Sequence, residues 1–571
     1  MTQNRREFLK YAAFGAAAGS LAAFGGCARA RAAAPGAHKR PNVVLIMTDD
    51  QGYGDLGCHG NDAIQTPNLD RLHAESVRFT QCFVCPVCSP TRASLMTGRY
   101  NYRTGAIDTY LGRSMMHPDE ITLAEILAKH GYRTGIFGKW HLGDNYPMRA
   151  TDQGFAESLV HNGGGICQPS DPEFFERKDS YFDPVLKHNG VSEKHAGYCT
   201  DIFTNAAIDF IEQSKDQPFF VYLPTNAPHS PLLVEEKYSA PYLAKGLTEK
   251  TAKVYGMIAN IDENVGRLLA RLRTLGLDKN TIVVFLTDNG PCGSQGEARY
   301  NAGLRARKGT VYDGGIHVPC FVRWPARLEG GRDIDRIAAH IDMLPTILEA
   351  CAVSAPSDVH LDGRSLMPLM LGGQVDWPDR TLYFQWHRGD EPELYKNCAA
   401  RSQQYKLVNG KELYDMAAGP GEQHDIAADH PDIVAQMRAE YEAWFKDVGS
   451  TRGYAPPRIH IGTRHENPVL LTRQDWRGAP GWSDKHVGYW EVKVARSGTY
   501  DVTLEFAPMQ TPGEARFRLN GVDLRRPLKK GVATCTFDSV HLKPGEGRLE
   551  AGVTGQGKPA GVRYATVQRR S

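Results

Sequence analysis

The sequence predicts an α/β protein, in which a mostly parallel central sheet is sandwiched by helices and followed by a small antiparallel subdomain and an appended β-sandwich. Two continuous apolar runs rich in β-branched residues, residues 42–47 and 281–286, are typical of strands buried on both faces of a parallel sheet. Stretches with helical periodicity lie between them, for example residues 122–130 and 204–214. After residue 458, short runs alternate apolar with polar residues, as in a β-sandwich.

The size and composition are those of a multi-domain globular protein. The chain has 571 residues, which is too long for one ordinary core and predicts two or three domains. Apolar residues make up 41% and charged residues 23%, and the formal net charge is only +2. No block of like charge would follow a nucleic-acid backbone, so nucleic acid is not an expected partner.

Residues 1–40 have the features of an export signal. A twin-arginine segment containing Arg5 and Arg6 precedes a weakly apolar stretch, residues 11–24, that is too short to span a bilayer permanently. Cleavage is expected between Ala28 and Ala34, or before Cys27, where lipidation would give the only attachment to a membrane. The segment predicts export by the twin-arginine translocase to the periplasm or the cell surface.

Acidic residues follow both apolar runs at the point where each predicted strand ends. Asp49 and Asp50 follow the first run, and Asp288 and Asn289 follow the second. A single Asp at a strand end most often caps a turn. Two such clusters at neighbouring carboxyl ends would repel one another without a cation, and their oxygen atoms favour a hard one, Ca²⁺ or Mg²⁺.

A cysteine in a proline-bounded turn stands at the centre of residues 86–98, PVCSPTRASLMTG. The turn is expected to open a helix, which would direct backbone N–H groups and the Arg92 guanidinium toward a ligand at Cys88. A buried structural cysteine is the plainer alternative. Cys82, Cys85 and Cys88 could also form an iron–sulfur or zinc site, but no fourth ligand follows at matching spacing. With Cys27 and Cys88 set aside, ten of the twelve cysteines remain for disulfides, whose pairing the sequence does not show.

The Cys-x-Pro-x-Arg segment and three later segments resemble the type I sulfatases of the alkaline phosphatase superfamily, in which this cysteine is oxidised to formylglycine. The later segments are residues 131–143, residues 226–231 and residues 305–315. The resemblance implies an alkaline phosphatase-like fold, a formylglycine-generating enzyme as partner, and formylglycine at position 88 beside Ca²⁺ or Mg²⁺. The metal ligands that it implies are Asp49, Asp50, residue 88, Asp288 and Asn289. Asp313 and His317 depart from the Glu and Arg that are usual in the family, and we expect these departures to alter the pocket wall without changing the chemistry.

The resemblance also implies a role for each catalytic residue. Lys139 and Lys308 would bind the sulfate, and a hydroxyl of the formylglycine hydrate at position 88, steadied by Arg92, would attack sulfur. His229 would protonate the leaving oxygen. His141 would then help the second hydroxyl to expel sulfate and restore the aldehyde.

The function that follows is hydrolysis of sulfate esters, on sulfated glycans rather than small aryl sulfates because of the export signal and the β-sandwich. The sequence leaves three alternatives. They are a formylglycine-dependent phosphonate or phosphodiester hydrolase, a two-zinc phosphatase drawing on His340 and Asp342, and a glycan-binding protein with an inactive hydrolase core. Every proposed catalytic position is occupied, which disfavours the last.

The resemblance covers residues 40–447, and the predicted domain boundaries combine it with the composition of the rest of the chain. They are the export signal at 1–40, the catalytic domain at 41–350, its C-terminal subdomain at 351–448, a linker at 449–457 and the β-sandwich at 458–571. The subdomain is expected to contain strands at 381–386 and 405–408 and a helix at 431–448. The sandwich resembles jelly-roll, galactose-binding-like modules, and both a sugar-binding and a purely structural role stay open.

Overall fold

A ten-stranded sheet forms the centre of the protein in the computed structural model, which describes residues 40–293, 299–373, 375–419, 421–555 and 557–570. The predicted export signal, apart from Arg40, and Cys27 therefore lie outside the described residues. The strands of the first part of the chain are β1 (Asn42–Thr48), β2 (Val77–Phe79), β3 (Cys82–Phe83), β4 (Arg133–Lys139), β5 (Glu157–His161), β6 (Val185–His188), β7 (Val191–Lys194), β8 (Phe219–Pro224), β9 (Thr281–Thr287), β10 (His317–Val318), β11 (Cys320–Arg323), β12 (Arg332–Ile334) and β13 (Ala338–Ala339). The large sheet has the order β12-β2-β11-β9-β1-β8-β4-β5-β6-β7, and β10, β3 and β13 form a small sheet.

The two apolar runs are the central strands of this sheet. β1 pairs in parallel with β9 on one side and with β8 on the other, so that Leu45 lies opposite both Val284 and Tyr222. β8 continues in parallel to β4, and β4 to β5, whereas β11, β6 and β7 join antiparallel at the flanks. The prediction of a mostly parallel sheet is confirmed.

Helices cover both faces of the sheet, because alternate residues of β1 enter two different hydrophobic cores. Val43 and Leu45 pack into one core with Leu127, and Val44 packs into the other with Phe203. The helices of the described residues are Pro67–Ala74, Cys88–Thr97, Asn101–Thr104, Leu123–Lys129, Cys199–Ser214, Glu236–Ala244, Glu249–Thr274, Asp313–Ile316, Met343–Ala350, Met367–Leu371 and Pro431–Ser450. The predicted sandwich of helices around the sheet is confirmed.

The helix boundaries follow local capping chemistry. At the helix Leu123–Lys129, Thr122 and Glu125 form a reciprocal capping box, which fixes the start where the sequence predicted it. The helix predicted to start at residue 204 starts five residues earlier, at Cys199. None of the helices in the described part of the chain is both long and apolar enough to cross a membrane.

A four-stranded antiparallel sheet follows, with strands β14 (Leu382–Gln385), β15 (Cys398–Arg401), β16 (Tyr405–Val408) and β17 (Glu412–Asp415). The helix Pro431–Ser450 packs its Tyr441 and Trp444 into the same core as β14 and β16. The predicted antiparallel C-terminal element therefore forms. Its core includes Phe83 of β3, so it packs against the three-stranded sheet β10-β3-β13.

Two further sheets form the β-sandwich. Their strands are β18 (Ile459–Ile461), β19 (Val469–Thr472), β20 (Tyr489–Val494), β21 (Gly498–Glu505), β22 (Gly513–Leu519), β23 (Val522–Leu528), β24 (Thr534–Leu542), β25 (Gly545–Gly555), β26 (Lys558–Gly561) and β27 (Tyr564–Arg569). One sheet has the order β18-β20-β25-β22-β23 with β26 beside β25, and the other has the order β19-β27-β21-β24. Leu111, Met115 and Met148 from the α/β part pack into the core between them. The sandwich is thus docked on the α/β part through a shared apolar core.

The cysteines are present as thiols. Each of the eleven cysteines in the described residues is free, so the capacity for disulfides expected from the cysteine count is not used there. Most are buried among apolar side chains, where cysteine packs as a small hydrophobic residue.

Candidate active site

The acidic residues predicted at the strand ends do meet. β1 and β9 end side by side, with Thr48 opposite Thr287. The backbone N–H of Asp50 donates to Asp288 Oδ1 over 3.2 Å, and Asn289 Nδ2 donates to Asp50 Oδ1 over 2.8 Å. Asp50 has a φ of 64°, a left-handed conformation that Asp tolerates better than most residues and that is frequent at functional sites.

Several oxygen atoms of this cluster are buried without a hydrogen-bond partner among the described residues. They are Asp49 Oδ1, Asp50 Oδ2 and Asn289 Oδ1. The potential ligand atoms of Asp49, Cys88 and Asp288 lie within 4.8 Å of one another. Buried oxygens of this kind are costly unless a donor or a cation satisfies them, and the carboxylate and amide oxygens of Asp49, Asp50, Asp288 and Asn289 suit a hard cation. These residues therefore fit a Ca²⁺ or Mg²⁺ ion.

Cys88 begins the helix Cys88–Thr97 at the edge of this cluster, as the sequence predicted, and Gly98 ends the helix in the left-handed conformation. Burial raises the pKa of the Cys88 thiol, although Lys139 and Lys308 oppose the shift. A buried neutral thiol is a weak nucleophile. Cys88 is therefore poorly suited to act as a thiolate.

Arg92, one turn into the helix, ties it to the acidic cluster. Its Nη2 and Nε atoms donate to Asp288 Oδ2 over 2.7 and 3.2 Å, and Nη1 donates to the carbonyl oxygen of Lys139 over 3.1 Å. The guanidinium is fully buried. Burial, followed by the charge of Asp49, raises the pKa of Asp288 to about 6 even with Arg92 beside it.

Two lysines complete the charged floor of the site. Lys139 ends β4 and donates to Asp49 Oδ2 over 2.6 Å, and Lys308 donates to Asp50 Oδ1. Burial disfavours the charge of Lys308, but Asp50 together with the other acidic groups around it outweighs burial and raises the lysine's pKa. In turn Lys308 and His229 overcome the effect of burial and hold the pKa of Asp50 well below its usual range.

The chain needs glycine immediately before Lys139. Gly138 has a φ of 136°, and a Cβ atom there would stand 1.9 Å from the carbonyl oxygen of Pro224 on β8. Glycine therefore lets β4 run close to β8 and deliver Lys139 into the site.

His141 and His229 face the site from two loops. His141 Nε2 donates to the carbonyl oxygen of Thr109 over 2.7 Å, which leaves Nδ1 as the acceptor, buried without a partner in the described structure. His229 Nδ1 donates to the Ser230 carbonyl over 2.7 Å, and its Nε2 lies 3.8 Å from Asp50 Oδ2. Burial, with Lys139, lowers the pKa of His141 well below its usual value, and burial lowers that of His229 to about 4.

A cavity of about 440 Å³ opens above these groups, and Cys88, His141, His229 and Lys308 line it. Arg307, from the segment 305–315, also lines the cavity, and the rest of the wall comes from residues that no sequence motif identified: Thr109, Tyr110, Gln168, Cys292, Trp386, Arg388 and Trp482. These residues come from segments far apart in the chain, so only the folded structure brings them together. The structure thus places all ten predicted residues at the floor of one pocket or directly beneath it.

His161 is another buried residue that sequence reasoning missed. It lies opposite Lys139 in the β4–β5 register, is 5% exposed, and its Nε2 has no partner among the described groups. Its position at the carboxyl end of β5, beside the end of β4, is the sequence feature that could have identified it as a site residue.

The two departures from the family pattern lie outside the cavity wall. Asp313 Oδ1 accepts from Lys406 Nζ over 2.6 Å, and His317 Nε2 donates to the carbonyl oxygen of Thr80 over 2.8 Å. Neither lines the cavity. The expected effect on the pocket wall is therefore not seen.

Among the described residues, Cys82, Cys85, His340 and Asp342 belong to none of the groups of three or more potential ligands that lie within 4.8 Å of one another. The free thiols of Cys82 and Cys320 are hydrogen-bonded neighbours, and Cys85 Sγ lies 3.3 Å from His340 Nε2. Asp342 accepts hydrogen bonds from Arg380 and from the backbone N–H of Ala339, at the junction before the helix Met343–Ala350.

Comparison with known proteins identifies the family. The model of the sulfatase family matches residues 41–353, and that of the N-sulphoglucosamine sulphohydrolase C-terminal region matches residues 306–446. N-acetylgalactosamine-6-sulfatase of the dog is 33% identical over 62% of this chain and 70% of its own length. Human arylsulfatase A is 31% identical over 73% of this chain and 85% of its own length.

The fold comparison agrees. The solved structure of Ps i-CgsB in complex with k-i-k-neocarrahexaose superposes with a TM-score of 0.66 at 29% identity, covering 73% of this chain and 95% of that one. The matched family region includes every predicted catalytic and metal-binding residue of the pocket floor. The chain belongs to the sulfatase family and is a sulfuric ester hydrolase.

Proposed function

We propose that this protein hydrolyses sulfate esters of glycans, with residue 88 converted from cysteine to formylglycine and a divalent cation held by Asp49, Asp50, Asp288 and Asn289. The observation that carries the proposal is the convergence of unsatisfied buried oxygens, Cys88 and two lysines beneath one cavity. When both groups are present, the cation neutralises sulfate charge and the hydrated aldehyde supplies a hydroxyl nucleophile that a cysteine lacks. The donor set favours Ca²⁺, with Mg²⁺ as the alternative.

The charge balance of the site supports an anionic substrate. The carboxylates of Asp49, Asp50 and Asp288 face three cationic side chains, those of Arg92, Lys139 and Lys308. These charges cancel, so a bound divalent cation would make the floor net positive. A positive, largely dehydrated pocket attracts a sulfate ester and stabilises charge that develops on its oxygens.

Each side chain then has a distinct task. Lys139 and Lys308 hold the sulfate oxygens at the floor. Arg92 fixes the helix that carries residue 88, through its paired hydrogen bonds to Asp288. His141, with Nδ1 free to accept, takes a proton from residue 88 when sulfate is released.

His229 is suited to donate a proton to the leaving oxygen. Its Nε2 faces Asp50, while the Ser230 carbonyl fixes the ring through Nδ1. Its pKa of about 4 reflects burial and two nearby lysines. The negative charge of a bound sulfate ester offsets those lysines and raises the imidazole pKa toward the range useful for a general acid.

The substrate class rests on the relatives and on the predicted route of the protein. The name of the relative N-acetylgalactosamine-6-sulfatase specifies a sulfated sugar as its substrate, and the Ps i-CgsB structure is a complex with an oligosaccharide. The predicted twin-arginine signal supports an exported enzyme in the periplasm or at the cell surface, with lipidation at Cys27 as a variant. The twin-arginine translocase and a formylglycine-generating enzyme are the partners that this proposal requires. The domain boundaries given by the sequence stay predictions.

The test is release of inorganic sulfate by protein produced with a formylglycine-generating enzyme. The substrates are sulfated mono- and oligosaccharides, nitrophenyl sulfate, a phosphonate monoester and a phosphodiester, and the control is Cys88→Ala. We expect sulfate release that Cys88→Ala abolishes. Faster hydrolysis of the phosphonate or phosphodiester would assign the alternative hydrolase, and binding of glycans without hydrolysis would assign the inactive-core alternative.

A further inference from the structure

The β-sandwich reaches into the active site through the segment that follows β19. Gln474, which is fully buried, donates from Nε2 to the carbonyl oxygen of Thr109 over 3.0 Å. That same carbonyl accepts from His141 Nε2. The sandwich and a proposed catalytic histidine therefore share one hydrogen-bond acceptor, which places the sandwich at the edge of the chemistry.

The same segment is rigidly attached to both parts of the protein. The backbone N–H of Gly112 donates to the Gln474 carbonyl over 3.0 Å, and Arg477 donates to the Gly112 carbonyl and to Asp390. Asp390 also accepts from Arg113 over 2.7 Å. Such a network, together with the shared apolar core, fixes the sandwich relative to the pocket.

Trp482 is held in place by a buried arginine of the sandwich. Arg473 donates to the Trp482 carbonyl over 2.6 Å, and its other two donor groups bind the carbonyl oxygens of Val562 and Gly561. The indole is partly exposed and lines the cavity. The arginine fixes the backbone at Trp482, and contact with the Tyr110 ring restricts the indole, so the side chain loses little conformational entropy when it binds a ligand.

The indole of Trp482 contacts a second aromatic residue of the cavity lining. The ring of Tyr110 lies edge-on to Trp482, with centroids 5.3 Å apart at 90°. Arg388 places its guanidinium 4.3 Å from the Tyr110 ring and 5.0 Å from the ring of Trp386, which also lines the cavity, while Nη1 donates to the buried Asp108 over 2.6 Å. Trp386 also donates to Asp108, so Tyr110, Arg388 and Trp386 form one connected part of the lining.

We propose that Trp482 of the β-sandwich is a specificity-determining residue, which contacts the sugar ring of the substrate and selects a sulfated pyranoside over inorganic sulfate or a small ester. The C–H faces of a pyranose pack on indole and phenol rings, whereas sulfate alone reaches only the charged floor. The inference rests on the proposed function, because it assigns the part of the substrate that the floor does not hold. It makes the sandwich a wall of the active site rather than a separate glycan-binding module.

The experiment separates the wall from the floor by using two probes. Inorganic sulfate, as a competitive inhibitor, measures binding at the charged floor alone, and a sulfated sugar such as N-acetylgalactosamine 6-sulfate or the oligosaccharide k-i-k-neocarrahexaose measures binding at the floor and at Trp482 together. In Trp482→Ala we expect kcat/KM for the best sugar substrate to fall about tenfold and the Ki of inorganic sulfate to stay within about twofold of wild type. Trp482→Phe should recover most of the loss, because a flat apolar face remains.

The matched control is Val487→Ala, which removes an exposed apolar side chain of the same sandwich outside the cavity wall. It should change neither constant. Equal kcat/KM for Trp482→Ala and wild type would overturn the proposal, as would parallel changes in the sulfate Ki, which would show that the floor had moved.

Failure of the proposed function is recognised separately. Calorimetric binding of the same sugars to Cys88→Ala, with and without Trp482→Ala, measures the wall without turnover. Tighter sugar binding when Trp482 is present supports the proposed contact between Trp482 and the sugar ring, even in a protein that releases no sulfate. Identical binding in the two variants contradicts it.

Discussion

Lys406 supports the loop that carries Lys308, and its removal should be severely destabilising. It lies on β16 with a fully buried side chain, and its Nζ is 2.6 Å from Asp313 Oδ1 and 2.7 Å from Glu422 Oε1. Lys406→Met keeps much of the side-chain volume but leaves two carboxylates, each at most 4% exposed, without their cation. Breaking a buried ion pair in this way costs about 3–5 kcal/mol. At about 2–4 °C per kcal/mol, the midpoint of thermal unfolding should fall by about 6–20 °C.

The loss of stability in Lys406→Met should depend on pH in a definite direction. In the wild type burial raises the pKa of Asp313, but Lys406 and His317 outweigh it and hold the pKa below 3.8, so its stabilisation is present above that pH and lost in acid. Burial already raises the pKa of Glu422 in the wild type, and without Lys406 the folded-state pKa of Asp313 also rises above its unfolded value while that of Glu422 rises further. The variant therefore loses stability as the pH rises, and its deficit is largest near neutrality and smaller toward about pH 4.

Thermal unfolding followed by circular dichroism, at about pH 7.5 and about pH 4.5, measures both effects. Lys411→Met is the matched control, since Lys411 is exposed at the end of the same hairpin and should tolerate the change. A midpoint for Lys406→Met within about 1 °C of wild type at neutral pH, or a deficit that grows in acid, would refute the reasoning.

Three further predictions follow from the site and the sandwich interface. Removal of divalent cations with a chelator should lower sulfatase activity by at least about tenfold and should lower the midpoint of thermal unfolding, because three buried carboxylates lose a counter-charge. Added Ca²⁺ should restore both quantities. Unchanged activity and an unchanged midpoint would contradict the proposed cation. His229→Asn should lower kcat about 10²–10⁴-fold on sugar sulfates but much less on nitrophenyl sulfate, whose leaving group departs without a proton; equal losses on both would exclude the proton-donor role. Burial raises the pKa of Asp144 to about 7, and burial with Asp144 raises that of Asp475 well above 3.8, so this pair loses stability as the pH rises. Asp475→Asn should therefore stabilise the protein by about 1–3 kcal/mol at about pH 8 and by less at about pH 5, measured by thermal unfolding, and an equal effect at both pH values would show that the pair does not titrate.

The sequence predicted the pocket floor because local signals defined it. Continuous apolar runs located β1 and β9, and the carboxyl ends of neighbouring parallel strands bring Asp49 and Asp288 together without further information. The turn before Cys88 likewise marked a helix start, which the structure has at that residue. Such features depend on a few adjacent residues and on strand order.

The pocket walls could not be predicted, because they depend on how separate layers dock. Trp482 and Tyr110 are far apart in the chain, and no local pattern distinguishes either from an ordinary surface aromatic. The long amphipathic helix Glu249–Thr274 was not identified either, although its apolar face packs on the large sheet. The three closely spaced cysteines were ambiguous for the same reason, since the directions of their side chains are set only after β3 and the helix at Cys88 are in place.

The most direct test of the proposed mechanism is the chemical state of residue 88 in active enzyme. Trypsin should release residues 79–92, a peptide with three cysteines, which can be alkylated and measured by mass spectrometry. The account predicts that Cys82 and Cys85 are alkylated, whereas position 88 is not alkylated, has lost mass equal to the exchange of a CH₂SH group for CHO, and reacts as an aldehyde. Fully active enzyme in which Cys88 is alkylated as an intact thiol would contradict it.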